Sequence, residues 1–179
     1  MKINQALQKI QENFNNPCYI MMVGVPGCGK STIISKIIEL NSDRGFFVAS
    51  TDDIIEDIAK SKGKTYSEVF PSINHKQQIK KQMDENIQKS FNKGNHIIHD
   101  QTNMSSKSRT SKLSNVPDSY FKICLNVSVD DKVLFERLDK RAKETGKYIP
   151  KHVIDNMFNS YNPPTKKEGF GLIIEIDNS

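Results

Sequence analysis

The eight residues Gly24-Val25-Pro26-Gly27-Cys28-Gly29-Lys30-Ser31 satisfy G-x-x-x-x-G-K-[ST] at every constrained position. Such a segment is suited to holding phosphate. Its glycines let backbone N–H groups turn toward oxyanions, and a helix that starts at the lysine presents its positive end to the same anion. Lys30 is then the group that reaches the β- and γ-phosphates of a nucleotide, and the Ser31 hydroxyl is a ligand for Mg²⁺. Gly24, Pro26, Gly27, Cys28, Gly29, Lys30, Ser31 and Thr32 form the candidate ATP-binding set. Cys28 reads either as a small residue at a permissive loop position or as a redox-active thiol.

Acidic residues follow two other apolar runs. Asp52 and Asp53 come after Phe46 to Ser50. A carboxylate there can accept the proton of an attacking hydroxyl, or orient it, or it can cap a helix at a dipole-favoured position. Asp52 is the candidate base and Asp53 the candidate cap. Asp100 ends the run His96-Ile97-Ile98-His99. It can hold Mg²⁺ through water, position an acceptor, or simply end a strand. Thr102 and Asn103 line an acceptor cleft or cap the next helix. His96 and His99 read as strand residues.

Arg137 and Arg141 are four apart and share one helix face. Seven basic residues lie from Lys132 to Lys151. A mobile arginine lid over phosphates would position them and stabilise their charge, whereas a solvated charged helix is the plainer alternative. The lid is expected over about residues 137–150.

Alternating elements must position these groups. A helix is expected over about Lys2 to Phe14, broken by Asn15-Asn16-Pro17. Cys18 to Val23 is a continuous apolar run, as in a strand buried on both faces. Lys30 to Leu40 reads as a helix and Phe46 to Ser50 as a strand. Ser50 stands three residues before Asp53 at capping-box spacing, with a helix on to about Lys60. Further helices are expected at about Ser72 to Lys93, Ser105 to Ser114, Asp130 to Arg141 and Pro150 to Ser160. Further strands are expected at His96 to His99, Tyr120 to Val127 and Leu172 to Ile176. The pattern predicts a single α/β domain over 1–179, three-layered, with a mainly parallel five-stranded sheet. Ligands in such folds bind beyond the carboxyl ends of the strands, where Gly24 to Ser31, Ser50 to Asp53 and Asp100 to Asn103 fall.

The chain has 179 residues, 36% apolar and 26% charged, with a formal net charge of +5. That balance argues against a disordered or membrane-spanning chain, and the start Met1-Lys2-Ile3-Asn4-Gln5 lacks a signal-peptide core. A cytoplasmic protein is expected. Three widely spaced cysteines with no CxxC pair argue against a disulfide framework or zinc site. The positive charge suits an anionic partner such as ATP or nucleic acid.

Taken together, these blocks resemble the P-loop kinases grouped around phage polynucleotide 5′-hydroxyl kinase, which include kinase domains of RNA-repair enzymes and, more distantly, zeta-toxin-like kinases. The resemblance rests on Gly24 to Ser31, Ser50-Thr51-Asp52-Asp53, Asp100-Gln101-Thr102-Asn103, and Arg137 with Arg141 before Pro150. Tyr161-Asn162-Pro163-Pro164-Thr165 with Glu168-Gly169-Phe170 is similar to that family's C-terminal signature. The resemblance spans about Ile20 to Phe170. It implies Lys30 and Ser31 on phosphate and Mg²⁺, Asp52 as base for a 5′-hydroxyl, Asp100 at the acceptor, lid arginines on the ATP phosphates, and Pro163-Pro164 near the adenine. One position departs: Ile55 stands where the phage enzyme has an arginine that contacts the acceptor's phosphate. A polynucleotide kinase is therefore weighed against a kinase of a nucleoside, nucleotide or sugar nucleotide, and against a nucleotide-binding switch.

Overall fold

The computed structural model describes residues 1–69 and 73–179. Five strands form one sheet: β1 (Cys18–Val23), β2 (Phe46–Ser50), β3 (His96–Asp100), β4 (Phe121–Ser128) and β5 (Leu172–Asp177). Their order is β2-β3-β1-β4-β5. All four pairings among the described residues are parallel, so the sheet is more uniform than expected.

Eight α-helices are described: α1 (Ile3–Gln11), α2 (Lys30–Glu39), α3 (Thr51–Ser61), α4 (Tyr66–Val69), α5 (Ile73–Asn92), α6 (Ser106–Leu113), α7 (Asp131–Thr145) and α8 (Lys151–Asn159). The expected start of α5 at Ser72 lies outside the described residues. The sequence reading missed α4, a single turn too short for a periodic signal. It carried α1 three residues too far, because Asn13 and Phe14 close as turns onto Ile10 and Gln11 carbonyls. It also ended α7 four residues early, where Gly146 at φ +69 supplies the left-handed stop.

Strand alternation builds two cores. Ile20 and Met22 of β1, Ile98 of β3, and Ile123 and Leu125 of β4 face one layer, against Leu7 and Ile10 of α1, Ile33 and Ile37 of α2, Leu134 of α7 and Ile154 of α8. Tyr19, Met21, Ile97 and Cys124 face the other, against Ile54, Ile55 and Ile58 of α3, Ile79 and Met83 of α5 and Leu113 of α6. The three layers follow from that split. β1 lies at the centre with all six residues buried, which explains its unbroken apolar run.

A buried ion pair ties the C-terminal segment down. Arg109 is fully buried, and its guanidinium donates to both carboxylate oxygens of Glu168 at 2.7 and 2.9 Å. Its Nη1 also donates to the carbonyls of Asn103 and Met104. Glu168 thus has a structural task within the C-terminal block.

Candidate functional site

The glycine loop leaves β1 at its carboxyl end, at the centre of the sheet, and enters α2 at Lys30. Gly24 has φ +147, and a Cβ there would lie 2.6 Å from the Val127 carbonyl oxygen and 2.7 Å from Cys28 Sγ. Gly29 is left-handed at φ +98, and a Cβ on it would collide with Asn178 Nδ2. The loop therefore requires glycine at both ends. Cys28 is fully buried, and burial raises its thiol above the ordinary range. This supports its reading as a packing residue rather than a reactive thiol.

Lys30 Nζ folds back over the loop and donates to the carbonyls of Gly24 at 2.9 Å and Val25 at 3.0 Å. Ser31 and Thr32 are exposed on the first turn of α2. Gly29, the N-cap residue of α2, makes no side-chain cap, so that end of the helix keeps its capacity for an anion.

From α7, Arg137 reaches the loop. Its Nη2 donates to the Asn178 carbonyl at 3.0 Å. Its Nη1 is buried and, among the described residues, has no hydrogen-bond partner. That nitrogen lies 3.8 Å from the Cβ position of Gly29. An orphaned guanidinium nitrogen against the glycine cradle fits a phosphate oxygen, because a buried charged donor without an acceptor is costly. The nearby leucines Leu134 and Leu138 of α7 would each stand 3.1 Å from a Cβ on Gly27. Arg137 and Leu138, at the start of the expected lid, are therefore packed on the loop, and of residues 137–150 only 146–150 lie outside helices.

Three carboxylates gather at the same end of the sheet. Ser50 is the N-cap of α3, its Oγ accepting from Asp53 N at 3.3 Å, so Asp53 occupies the third helical position rather than the cap itself. Asp52 lies 3.8 Å from Arg141 Nη2. One helical turn further on, Glu56 accepts from Lys147 Nζ at 2.7 Å, a second link between α3 and the α7 end. Burial raises the Asp100 carboxyl above its ordinary range; Lys30 and Arg141 oppose the shift, and Asp52 and Asp53 add to it. Burial likewise raises Asp53.

Among the described residues, no group of three or more His, Cys, Asp or Glu is placed to hold a metal ion. Ser31 and Asp100 are the groups that would hold a magnesium ion beside phosphate oxygens.

Thr102 and Asn103 take part in framing the loop. The Thr102 carbonyl accepts from Gly24 N at 3.0 Å. Asn103 is buried at φ 47, its Nδ2 donates to the Met22 carbonyl at 2.7 Å, and its Oδ1 accepts from Lys112. Asn103 thus spends its amide on β1 and α6. Asn162 N donates to the Met104 carbonyl, which brings the C-terminal block against this loop. Pro163 is exposed and Pro164 buried.

Beside the carboxylates lies a cavity of about 530 Å³ between α3, α5 and α6. It touches Thr51 and Gln101, the residues next to Asp52 and Asp100, and no residue of the glycine loop. A chain of polar contacts runs through His99, Gln101 and Thr51 of its lining. Tyr19 Oη and His99 Nδ1 are 2.5 Å apart, His99 Nε2 and Gln101 Oε1 are 3.2 Å apart, and Gln101 Nε2 donates to Thr51 Oγ1. Burial lowers His99 to about 4, so it is neutral, accepting from Tyr19 and donating to Gln101. Lys112 Nζ donates to Gln101 Oε1 at 2.5 Å and to Asn103 Oδ1. Lys112 and Asn178 escaped the sequence reading, since no motif marks them; Gln101 fell within the Asp100-to-Asn103 block without a role of its own, and its contact to Thr51 spans 50 positions.

A phosphate loop at the centre of a parallel sheet, with acidic residues on the neighbouring strand ends, defines a P-loop kinase-like α/β fold. The chain belongs to the AAA domain family, whose profile matches residues 20–164. Among solved structures, one of the Pnkp1/Rnl/Hen1 RNA repair complex is similar at TM-score 0.68 and 22% identity, covering 84% of this chain and 46% of that one. This chain thus spans under half the length of that protein. A candidate kinase from Chloroflexus aurantiacus matches at TM-score 0.66 and 18% identity, covering 90% and 85%. A gluconokinase from Sinorhizobium meliloti matches at 0.54 and 18%, covering 91% and 83%. No curated protein matches in sequence. At these identities the likeness is one of fold. No helix among the described residues is long and apolar enough to cross a membrane.

Proposed function

We propose that this chain is a phosphotransferase that moves the γ-phosphate of ATP onto a hydroxyl acceptor, with the 5′-hydroxyl end of a polynucleotide as that acceptor. The observation that carries the transfer reading is the buried, unpartnered Nη1 of Arg137 against Gly29. A guanidinium in that position finds its acceptor when phosphate fills the loop. The gluconokinase and the candidate kinase among the neighbours support kinase chemistry on this fold, and the RNA repair complex supports a nucleic-acid acceptor.

In this reading Lys30 exchanges the Gly24 and Val25 carbonyls for phosphate oxygens. Arg137 and Arg141 stabilise the negative charge of the transferring group, as electrostatic preorganisation requires. Asp52 leaves Arg141, orients the acceptor hydroxyl and takes its proton. Asp100 borders the acceptor. Ser31 and Asp100 would hold a magnesium ion, which would supply charge neutralisation on the phosphates.

A second reading, a small-molecule acceptor, is favoured by the cavity itself: its volume of about 530 Å³ suits a single small ligand, and Ile55 gives it an apolar wall. The deciding experiment is transfer of γ-³²P from ATP with Mg²⁺ to a 5′-hydroxyl oligonucleotide beside nucleosides, nucleotides and gluconate. Label on the oligonucleotide end is the expected result. Label confined to a small molecule would move the acceptor to the second reading.

A further inference from the structure

Lys112 is a cation placed in a cavity wall with, among the described residues, no acid to balance it. Its Nζ touches two amide oxygens, those of Gln101 and Asn103. Among the described residues no carboxylate lies within ion-pair distance of it. The charged and titratable groups around it come from three other elements. Lys80 and Asp84 of α5 pair with each other at 3.1 Å. His99 of β3 is neutral, and burial raises Tyr19 of β1 so that it keeps its proton. None of these offsets the ammonium.

A partly buried ammonium held only by amides is costly unless something anionic completes it. The cavity it borders has room for a small ligand, and Ile55, Ile79 and Met83 line its apolar side. Gln101 joins Lys112 to Thr51 Oγ1 through one amide group, and Thr51 precedes Asp52. The ammonium is therefore coupled to the helix turn that carries the proposed base.

We propose that Lys112 sets acceptor specificity: the hydroxyl compound that fills this cavity carries a phosphate group, and Lys112 Nζ binds it. This inference rests on the phosphotransferase reading for the identity of the ligand as acceptor. Two sources present the same chemistry, a free nucleotide and the first internucleotide phosphate of a strand. Burial lowers Lys112 to about 8 in the free protein. Phosphate favours the charged form, so binding is strongest below about pH 8 and weakens above it.

The test is calorimetric titration of the wild type, Lys112→Met and Lys112→Arg with adenosine, adenosine 3′-monophosphate and a 5′-hydroxyl oligonucleotide, without ATP. In the wild type at least one phosphate-bearing ligand is expected to outbind adenosine. Lys112→Met should erase that preference, a loss of about 10- to 100-fold, and Lys112→Arg should retain much of it. A nucleotide that gains over adenosine identifies the free source; a gain by the oligonucleotide alone identifies the strand. Equal affinity of all three in the wild type, or a preference that survives in folded Lys112→Met, overturns the proposal. Lys112-dependent binding without transfer to any acceptor would overturn the phosphotransferase reading and leave this one standing. Transfer without Lys112 dependence would do the reverse.

Discussion

Arg141 Nη2 stands 3.8 Å from Asp52 Oδ2, so a side chain from the helix after β4 meets the carboxylate that follows β2 on the opposite flank of the sheet. Both side chains are partly exposed, and such a pair contributes little to stability. Its interest is functional. It holds a cation and a candidate base together beside the glycine loop before any ligand arrives. Asp52→Asn should lower kcat by roughly 10²- to 10⁴-fold and leave ATP affinity nearly unchanged. Single-turnover transfer with a parallel ATP-binding measurement checks this; near-wild-type turnover would remove Asp52 from the proton-transfer role.

Arg137 gives a prediction in which stability and activity part. Arg137→Met removes an unpartnered buried donor together with one bond to the Asn178 carbonyl. The melting midpoint should move by only a few degrees, since a lost bond of this kind costs about 1 kcal/mol. The value of kcat/KM for ATP should fall about 10²-fold or more. A large stability loss with unchanged ATP kinetics would make Arg137 a structural residue.

Gly29→Ala should do the opposite of a silent change. The left-handed backbone and Asn178 both exclude a Cβ, so we expect a loss of about 1–3 kcal/mol and much weaker nucleotide binding. Asn178→Ala in the same background relieves the collision but not the backbone strain, and should recover part of the stability. Denaturant unfolding of the three proteins reads this directly.

The outline of the fold was legible in the sequence because the apolar runs of β1, β3 and β5 and the capping residue Ser50 are local signals. The glycine loop was legible for the same reason: backbone geometry demands its residues. What surrounds the loop was not. Asn178 reaches the Cys28 carbonyl across 150 positions, and Gln101 reaches Thr51 across 50. No spacing rule joins residues so far apart. Asn103 read either as a cleft residue or as a cap of the next helix, and its amide contacts to Met22 and Lys112 are set by packing.

His99 predicts an acid-side loss of stability. Burial lowers its folded value from 6.5 to about 4. The unfolded chain therefore takes up a proton that the folded chain refuses. Stability contributed by neutral His99 is fully present above about pH 6.5, falls as pH drops toward about 4, and levels below it. The order of magnitude is about 3 kcal/mol. Urea unfolding from pH 7 to pH 4 should show the slope, and His99→Gln should flatten it. An unchanged slope in that variant would assign acid sensitivity elsewhere.

The most direct test of the central claim follows the fate of the γ-phosphate. The protein is mixed with ATP, Mg²⁺ and a panel of hydroxyl acceptors, and products are resolved by ³¹P magnetic resonance. The account predicts that the phosphate ends as a monoester on an acceptor, and that Lys30→Ala and Asp52→Asn abolish the signal. Inorganic phosphate as the sole product, at a rate no acceptor changes, would contradict it and leave the chain a nucleotide-hydrolysing switch.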